Sequence, residues 1–459
     1  MTRWMGLALS AAVLSACAAN VDATGDAEEE LTTEAAMIGL LDASQTSAWA
    51  NVKSTASSKL SAALVDAAHR GVDVHVVLTA GKHDPTWTLQ QHLESSGVDV
   101  DVVKTPVAGV TMVADGKQAL VSGKIVTTAS VVAADEKKFV SALTGPEPAK
   151  GALLASGVRV WAMPESGRDR IVQLVGAAQK TIDLELYQLQ ERRVVRALED
   201  AASRGVRVRV MLEPKTVGAQ NYGAVSAELA RAGVTVKATP KQFDSSHNVD
   251  HAKFMIVDGK ELAFGTGNLV RSGLGGVTED VFANRDFWVE DARAASVSTA
   301  AALFEGDWAG KPITQPLGDL VVTPDNADAR ITALVDGAKQ RLDVYNQSLD
   351  DADLVARLIA AKKRGVAVRV QLGYQPGFGG APPKNDAIIA QLVAGGVDAG
   401  YLQKHYLHAK AIVADAQVYV GSQNFTNGGL RNNRELGEIL SDAKAVDAVE
   451  RTFASDLTP

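Results

Sequence analysis

The sequence predicts an α/β fold assembled from three repeats of one helix-and-strand unit. Helical segments alternate with short apolar segments, as at residues 170–180 and 181–188. Such alternation is typical of parallel sheets covered by helices. A second observation is a junction sequence with an Arg-Gly-Val core, which occurs at residues 69–74, 203–208 and 363–368. Because each copy links the end of a helix to the start of a strand, the chain contains three related units.

Composition indicates where these units join. Stretches with proline and glycine lie at residues 144–150 and 310–318. We therefore predict a first unit over residues 37–148, a second over residues 149–313 and a third over residues 314–459. A chain of 459 residues is long enough for three domains of this size.

The amino-terminal residues predict export from the cytoplasm. Arg3 precedes an apolar stretch that ends in Leu-Ser-Ala-Cys17, and this stretch is too short to span a bilayer. It resembles a bacterial lipoprotein signal peptide over residues 1–17, in which Cys17 is lipidated; an ordinary secretory signal is the alternative. The resemblance implies a protein of the bacterial cell envelope, either lipid-anchored or secreted. Because Ala18 rather than aspartate follows the cysteine, the anchored form is expected in the outer membrane.

Charge is concentrated near the amino terminus. Of the formal net charge of −8, residues 1–35 contribute −5, since six acidic residues outnumber Arg3, and the remainder contributes −3. Residues 18–36 are acidic and rich in small side chains, which predicts a disordered tether. The nearly neutral body lacks the basic surface that phosphate-driven nucleic-acid binding requires, so nucleic acid is not the predicted partner.

Two segments share a pattern of histidine, lysine and aspartate at fixed spacing, HxKxxxxD. The residues are His251, Lys253 and Asp258 in one segment and His408, Lys410 and Asp415 in the other. Each segment is followed by a Gly-x-x-Asn turn, at 265–268 and 421–424, and then by an Asn-Arg-acid triplet, at 284–286 and 433–435. Chance does not plausibly supply two such frames.

The spacing predicts a pocket for a phosphate. The short apolar run in each motif indicates a buried strand, on which histidine and lysine two positions apart face the same side. An imidazole beside an ammonium suits an anionic oxyacid. With two copies, one histidine can attack phosphorus while the other protonates the leaving oxygen. This chemistry requires neither a metal nor another cofactor.

Several polar residues near the motifs admit two interpretations. Four arginines could contact one phosphate or form ion pairs with neighbouring acids; they are Arg271, Arg285, Arg431 and Arg434. His247 and His405 precede the motif histidines and either ligate a metal or line the rim, and we do not predict a metal. Tyr374 and Phe378 lie in a Gly-rich loop that either enters a lipid interface or is an ordinary loop.

The paired HxKxxxxD with its Gly-Ser/Thr-x-Asn turn resembles the signature of the phospholipase D superfamily, over residues 151–455. The resemblance implies an α-β-α sandwich with two active half-repeats about a pseudo-two-fold axis. It also implies that one motif histidine, His251 by preference, forms a phosphohistidine while the other serves as acid and then base. The remaining roles that it implies are phosphoryl contacts by Lys253, Lys410, Asn268, Asn424, Thr266 and Ser422, orientation of the histidines by Asp286 and Glu435, and bracing by Asp258 and Asp415.

The first unit keeps the residue pattern of the fold but lacks the histidine and lysine of the motif. Residues 111–117 align without gaps with residues 254–260. This alignment puts Ala108 where the motif has its histidine and Val110 where it has its lysine. We therefore predict that residues 37–148 form a degenerate, catalytically inactive half-repeat.

These observations together predict a phosphodiesterase that hydrolyses phospholipid headgroups, or transfers them to an alcohol, at the cell envelope. The predicted partners are a phospholipid substrate and a membrane reached through the lipid anchor; the sequence makes no prediction of oligomeric state. A nuclease of the same superfamily is the alternative enzyme. A binding protein with a vestigial site is the alternative outside enzymes.

Overall fold

The computed structural model describes residues 25–457 apart from short internal segments. Those segments are 54–55, 80–88, 90–91, 94–95, 97, 104–105, 145–151, 167–168, 217–221, 241–247, 271, 275–283 and 376–381. Cys17, His247, Arg271 and Phe378 therefore lie outside the described residues. Within the described ranges, no helix is both long enough and apolar enough to cross a bilayer.

The first unit is a six-stranded sheet between helices. Its strands are β1 (Ser47–Lys53), β2 (Asp73–Thr79), β3 (Asp99–Val103), β4 (Met112–Ala114), β5 (Gln118–Val121) and β6 (Lys124–Val126), and its helices are α1 (Gly25–Ala43), α2 (Ser58–His69) and α3 (Ala129–Thr144). The strand order is β3-β2-β1-β4-β5-β6, in which β1 to β3 are parallel and β4 to β6 antiparallel. Helices α1 and α2 cover one face with an apolar core, and α3 covers the other.

The second unit repeats this arrangement and adds a strand. Its strands are β7 (Val158–Met163), β8 (Thr181–Leu186), β9 (Arg207–Leu212), β10 (Thr235–Ala238), β11 (Lys253–Val257), β12 (Glu261–Gly265) and β13 (Asn284–Asp291), and its helices are α4 (Asp169–Ala177), α5 (Arg192–Ser203), α6 (Tyr222–Arg231) and α7 (Ala294–Ala309). The order is β10-β9-β8-β11-β12-β13-β7. A single helical turn at Ser272–Leu274 follows the first Gly-x-x-Asn turn.

The third unit has the same order again. Its strands are β14 (Leu320–Thr323), β15 (Arg341–Asn346), β16 (Ala367–Leu372), β17 (Asp398–Tyr401), β18 (Tyr406–Leu407), β19 (Lys410–Ala414), β20 (Gln417–Gly421) and β21 (Glu435–Leu440), and its helices are α8 (Ala327–Gly337), α9 (Ala352–Lys363), α10 (Asp386–Ala394) and α11 (Ala443–Asp456). The order is β17-β16-β15-β19-β20-β21-β14, while β18 joins the sheet of the second unit. A helical turn at Gly428–Asn432 follows the second Gly-x-x-Asn turn.

The recurring Arg-Gly-Val junction ends a helix in each unit. Gly205 has a φ of 87°, and the N–H of Val206 donates to the carbonyl of Ala201 at 3.0 Å. This bond closes the last turn of α5, and the left-handed φ favours glycine because glycine has no Cβ. The equivalent bonds join Val72 to Ala67 and Val366 to Ala361, each at 3.1 Å.

An aspartate fastens the central strands of each unit. Asp258 follows β11 with a φ of 54°, and its carboxylate accepts backbone N–H groups of residues 179–181 at 2.7–3.1 Å. The equivalent residues are Asp115, which accepts from residues 45–47, and Asp415, which accepts from residues 339–341. These aspartates lie at the end of the motif strand remote from the histidine, so they brace the fold.

The prediction of a disordered tether over residues 18–36 is wrong for residues 25–36, which begin helix α1. Residues 18–24 lie outside the described residues. Glutamate, leucine and alanine are strong helix formers, and they fill this segment. The last turns of the helix bury Met37, Leu40 and Leu41 against the first sheet, which anchors the preceding turns.

Candidate active site

The second and third units meet where their motif strands begin. In β13, Arg285 lies opposite Leu407 of β18. The same pairing occurs with the units interchanged, where Asp250 lies opposite Arg434. The N–H of His251 donates to the Arg434 carbonyl at 2.8 Å. Because a motif histidine directly follows each exchanged pair, the two units present their histidines at one junction.

Each motif histidine is bound by an acid of the opposite unit. His251 Nδ1 lies 2.8 Å from Glu435 Oε2, and His408 Nδ1 lies 2.9 Å from Asp286 Oδ1. Both acids are fully buried. Each bond fixes the orientation of one ring and leaves Nε2 for chemistry. The site therefore requires both units, because neither supplies a complete histidine-acid pair.

The motif lysines are buried beside the histidines. Lys253 and Lys410 are 0% exposed, and each ammonium donates to the backbone carbonyl of the histidine two residues earlier. The Lys253 ammonium also lies 5.2 Å from the ring centre of Tyr187, while that of Lys410 lies 3.4 Å from Gln347 Oε1. Two ammonium groups are thus held in the protein interior next to two imidazoles.

Burial and mutual repulsion depress the pKa values of these basic groups. Burial lowers the pKa of Lys253 to about 7 and that of Lys410 to about 8. Burial, followed by the two lysines, lowers the pKa of His251 well below its usual value, and burial lowers the pKa of His408. An anion among the four groups relieves this repulsion, so the arrangement suits a phosphodiester.

The two acids differ in protonation. Burial raises the pKa of Glu435 to about 7, with Lys253 opposing the rise. Burial also raises the pKa of Asp286, but His408 and Lys410 outweigh this effect, and the pKa is lowered from its ordinary value. At neutral pH Asp286 is therefore ionised, whereas Glu435 titrates there.

Residues 171–308 and 331–457 match the protein family described as cardiolipin synthase, PLD-like domain. Each matched segment contains one HxKxxxxD copy and one of the two acids, and together they cover more than half of the chain. The chain belongs to this family. The predicted membership of the phospholipase D superfamily is confirmed, and so is the predicted α/β fold class.

Several individual proteins are similar to this chain. A cardiolipin synthase of Oceanobacillus iheyensis is 23% identical over 334 residues, which cover 66% of this chain and 69% of that protein. A polyphosphate kinase of Porphyromonas gingivalis aligns in structure with a TM-score of 0.50 at 17% identity, over 66% of this chain and 50% of the kinase. A phosphatidylserine synthase of Haemophilus influenzae Rd KW20 gives 0.49 at 12% identity, over 67% and 87%. The chain spans half the length of the kinase, and that likeness shows the fold.

Two hydroxyl groups of the PLD-like domain bind other residues of the protein. Thr266 and Ser422, for which substrate contact is predicted, are both 0% exposed, as Lys253 and Lys410 are. The Thr266 hydroxyl donates to Asp286, and the Ser422 hydroxyl accepts the N–H of Leu436 at 3.1 Å and lowers the pKa of Glu435 by hydrogen bonding. Each turn directs its hydroxyl toward the following strand, so these residues position the acids.

Each of the two turn asparagines has one side-chain oxygen without a hydrogen-bond donor. Asn268 donates its amide to Gln188 Oε1 at 2.9 Å, while its carbonyl oxygen is buried and accepts no hydrogen bond. The carbonyl oxygen of Asn424 is also buried without a donor. Rotating such an amide by half a turn exchanges the oxygen for two N–H donors. In that orientation the amide N–H groups would donate to the oxygens of a bound phosphoryl group.

Of the four arginines near the motifs, the three that the structure describes form ion pairs. Arg285 binds Asp456 at 2.6 Å, and Arg434 binds Asp307 at 3.0 Å. In both pairs the arginine belongs to one catalytic unit and the aspartate to the other, so they fasten the units together. Arg431 binds Asp328 at 2.9 Å and Asp351 at 2.6 Å. His405 lies at the edge, 4.0 Å from Glu165.

Sequence reasoning missed one position of the site. Tyr187 and Gln347 are equivalent, since each directly follows the strand that pairs with its motif strand, and each contacts the motif lysine of its own unit. Tyr187 also packs edge-on against His251, with ring centres 4.8 Å apart. An aromatic ring and an amide share no residue pattern, so only alignment of the repeats could have found them.

Proposed function

We propose that the protein is a phosphodiesterase that cleaves or transfers phospholipid headgroups through a phosphohistidine intermediate. The observation that carries this proposal is the pair of buried imidazoles, each held through Nδ1 by a carboxyl group of the opposite unit, beside two buried ammonium groups. Membership of the cardiolipin synthase, PLD-like domain family supports a phospholipid as the substrate.

In the first step, His251 Nε2 attacks phosphorus. The P–N bond forms as the bond to the leaving oxygen breaks, and imidazolium His408 gives its Nε2 proton to that oxygen. The low pKa of His251 supports its neutral, nucleophilic state. Ionised Asp286 stabilises the positive charge that His408 must carry as the acid.

In the second step, neutral His408 takes a proton from water or an alcohol, whose oxygen attacks phosphorus and releases His251. Water gives hydrolysis and an alcohol gives transfer, with the same residues in the same roles. Throughout, Lys253, Lys410, Asn268 and Asn424 stabilise the charge on the phosphoryl oxygens.

The experiment that tests this function compares two diesters. The purified mature protein is incubated with phospholipid vesicles, with and without glycerol, and separately with single-stranded DNA. We expect release of soluble headgroup and, with glycerol, a transfer product, both absent in His251→Ala. Cleavage of DNA without lipid turnover would instead favour the nuclease. Absence of turnover and of any acid-labile phosphoryl adduct would favour a binding protein.

We also propose that lipidation of Cys17 holds the enzyme at the bacterial envelope, near that substrate. The apolar signal-like stretch before Cys17 supports this location. In a bacterial host, Cys17→Ser should move the protein from the membrane fraction to a soluble fraction. Equal fractionation of both proteins would contradict the anchor without bearing on the chemistry of the site.

A further inference from the structure

A buried carboxyl group lies behind the first motif histidine and has no hydrogen-bond donor. Glu185 of β8 is 0% exposed, and neither of its oxygens receives an N–H or O–H group. Asp250, a second carboxyl that is also 0% exposed, lies against Glu185 with no donor between the two groups. Asp250 directly precedes His251, so this contact supports the peptide that presents the ring.

The charges around Glu185 do not neutralise two carboxylates. Asp307 of α7 faces it as another acid, and Glu213 after β9 accepts the N–H of Asp250 at 3.0 Å. Arg434 is the cation that faces Glu185, and its guanidinium is bound to Asp307 and Asp325. Lys253 faces Asp250, but burial lowers the pKa of this lysine to about 7, so it carries only part of a charge at neutral pH. Two carboxyl groups in contact at such a site cannot both ionise.

The same position is uncharged in the other two units. Glu185 lies opposite Phe254 in the strand register, and Tyr345 lies opposite Ala411. Glu185 and Tyr345 are therefore at equivalent positions. The Tyr345 hydroxyl donates to Asp456 at 2.8 Å. In the first unit the equivalent residue is Asn51.

Asn51 forms hydrogen bonds with Val107, the residue that corresponds to Asp250. Its amide donates to the Val107 carbonyl at 3.0 Å and accepts the Val107 N–H at 3.0 Å. Val107 precedes Ala108 as Asp250 precedes His251. A neutral hydrogen-bonding side chain therefore supports this segment in the first unit, and Glu185 can do so only as a carboxylic acid.

We propose that Glu185 is a neutral carboxylic acid that donates its proton to Asp250, and that this carboxyl pair positions the peptide of His251. Glu185 touches no substrate and is a positioning residue. Only the activity arm of the test rests on the proposed function.

The direction of the pKa shifts agrees with this geometry. Burial raises the pKa of Glu185 well above its ordinary value, and burial raises that of Asp250 to about 7. A group whose pKa is higher in the folded protein stabilises the fold below its unfolded value, and that stability is lost as pH rises through the folded value. The pair should therefore weaken on the alkaline side of pH 7.

The first test needs no substrate. Glu185→Gln keeps a donor and can never ionise, while Tyr345→Phe is the matched change in the third unit. Melting temperature is measured from pH 6 to pH 9. We expect it to fall with pH by about 3–5 °C more in the wild type than in Glu185→Gln, and Tyr345→Phe to keep the wild-type slope.

Infrared difference spectra in heavy water provide a second readout of the same variants. The wild type minus Glu185→Gln should show the carbonyl stretch of a protonated carboxylic acid at neutral pH, and the Tyr345→Phe difference should not. Equal melting slopes together with a carboxylate band in place of the acid band would overturn the proposal. This result would leave the phosphodiesterase proposal standing.

The activity arm tests positioning. With phospholipid vesicles, Glu185→Gln should retain a larger fraction of its pH 7 kcat at pH 9 than the wild type does, because its support of Asp250 does not titrate. An unchanged alkaline limb would show that the pair stabilises the fold without acting on His251, which contradicts the positioning role. If no diester is turned over by the wild type, the melting and infrared measurements still decide the protonation state.

Discussion

The first and second units share a fold and differ in their chemistry. Both have the same central strand order, and both fasten it with an aspartate that accepts three backbone N–H groups, Asp115 in one and Asp258 in the other. At the opposite end of the motif strand, the position of His251 is occupied in the first unit by Ala108, which is exposed. The determinants of the fold lie at one end of the strand and those of the site at the other, so one can be lost without the other.

The two units also differ on the sheet face that bears α3 or α7. In the second unit Asp183 binds Arg209 there at 2.6 Å, and the third unit has the same pair in Asp343 and Arg369 at 2.7 Å. In the first unit the equivalent residues are Trp49 and His75, which stack with ring centres 3.9 Å apart. Arg196 of α5 lies over the Trp49 ring at 5.4 Å. The first unit thus meets its neighbour through an aromatic surface.

The comparison is tested most strongly by giving the second unit the residues of the first. His251→Ala and Lys253→Val reproduce Ala108 and Val110 in the catalytic frame. We expect each to lower kcat by at least about 10³-fold, because the nucleophile or the charge that balances the phosphoryl group is lost. Headgroup release measures the activity of each variant, and circular dichroism shows whether the variant is folded.

The matched control is Ala108→His in the first unit. It should leave both activity and stability unchanged, because Ala108 is exposed and no acid among the residues that the structure describes is placed to orient a ring there. A His251→Ala protein with activity near that of the wild type would mean that the site lies elsewhere in the chain.

The crossed histidine-acid pairs allow a second test. Asp286→Asn should lower kcat by about 10²- to 10⁴-fold, because ionised Asp286 both orients His408 and stabilises its charge. Glu435→Gln should cost less at pH 7, since burial raises the pKa of Glu435 to about 7 and much of it is already protonated. Equal losses in both variants would argue that the two histidines are equivalent.

The sequence predicts much of this comparison because its signals are local. Residue spacing along a strand places His251 and Lys253 on one side, and repeat alignment identifies the units and the loss at Ala108. It does not predict that Glu435 binds the histidine of the opposite unit, because that depends on how two sheets pack. Nor does it predict that the Thr266 hydroxyl donates to Asp286, because the backbone of the turn sets the direction of that hydroxyl.

A third test uses the lysines that the first unit lacks. With a pKa of about 7 for Lys253 and about 8 for Lys410, part of their charge is lost between pH 7 and pH 9 in the ligand-free protein. A bound anion raises both values, so binding takes up protons and affinity falls as pH rises, by up to about tenfold per pH unit for each proton. Sulfate stays fully ionised over this range and serves as the probe.

Calorimetric titration with sulfate in buffers of different ionisation enthalpy measures that proton uptake. Lys253→Met should bind sulfate more weakly and take up fewer protons than the wild type at pH 8. Val110→Ala, at the equivalent position of the first unit, is the control and should match the wild type. Sulfate affinity that is constant from pH 7 to pH 9 would contradict a site governed by these lysines.

The smallest expected effect tests what the units share. Asp115→Asn and Asp258→Asn tolerate the positive φ but lose the charge that binds three N–H groups, at a cost of about 1–3 kcal/mol each. Burial raises the pKa of both aspartates, yet these hydrogen bonds bring it below the ordinary value, so the stability is present at neutral pH and disappears as pH falls through that lowered value. Thermal unfolding should therefore show a smaller loss at pH 3 than at pH 7. Because Asp115 serves only the fold of its own unit, Asp115→Asn should keep full activity below its melting temperature; a parallel loss of activity would show that the first unit contributes to the site.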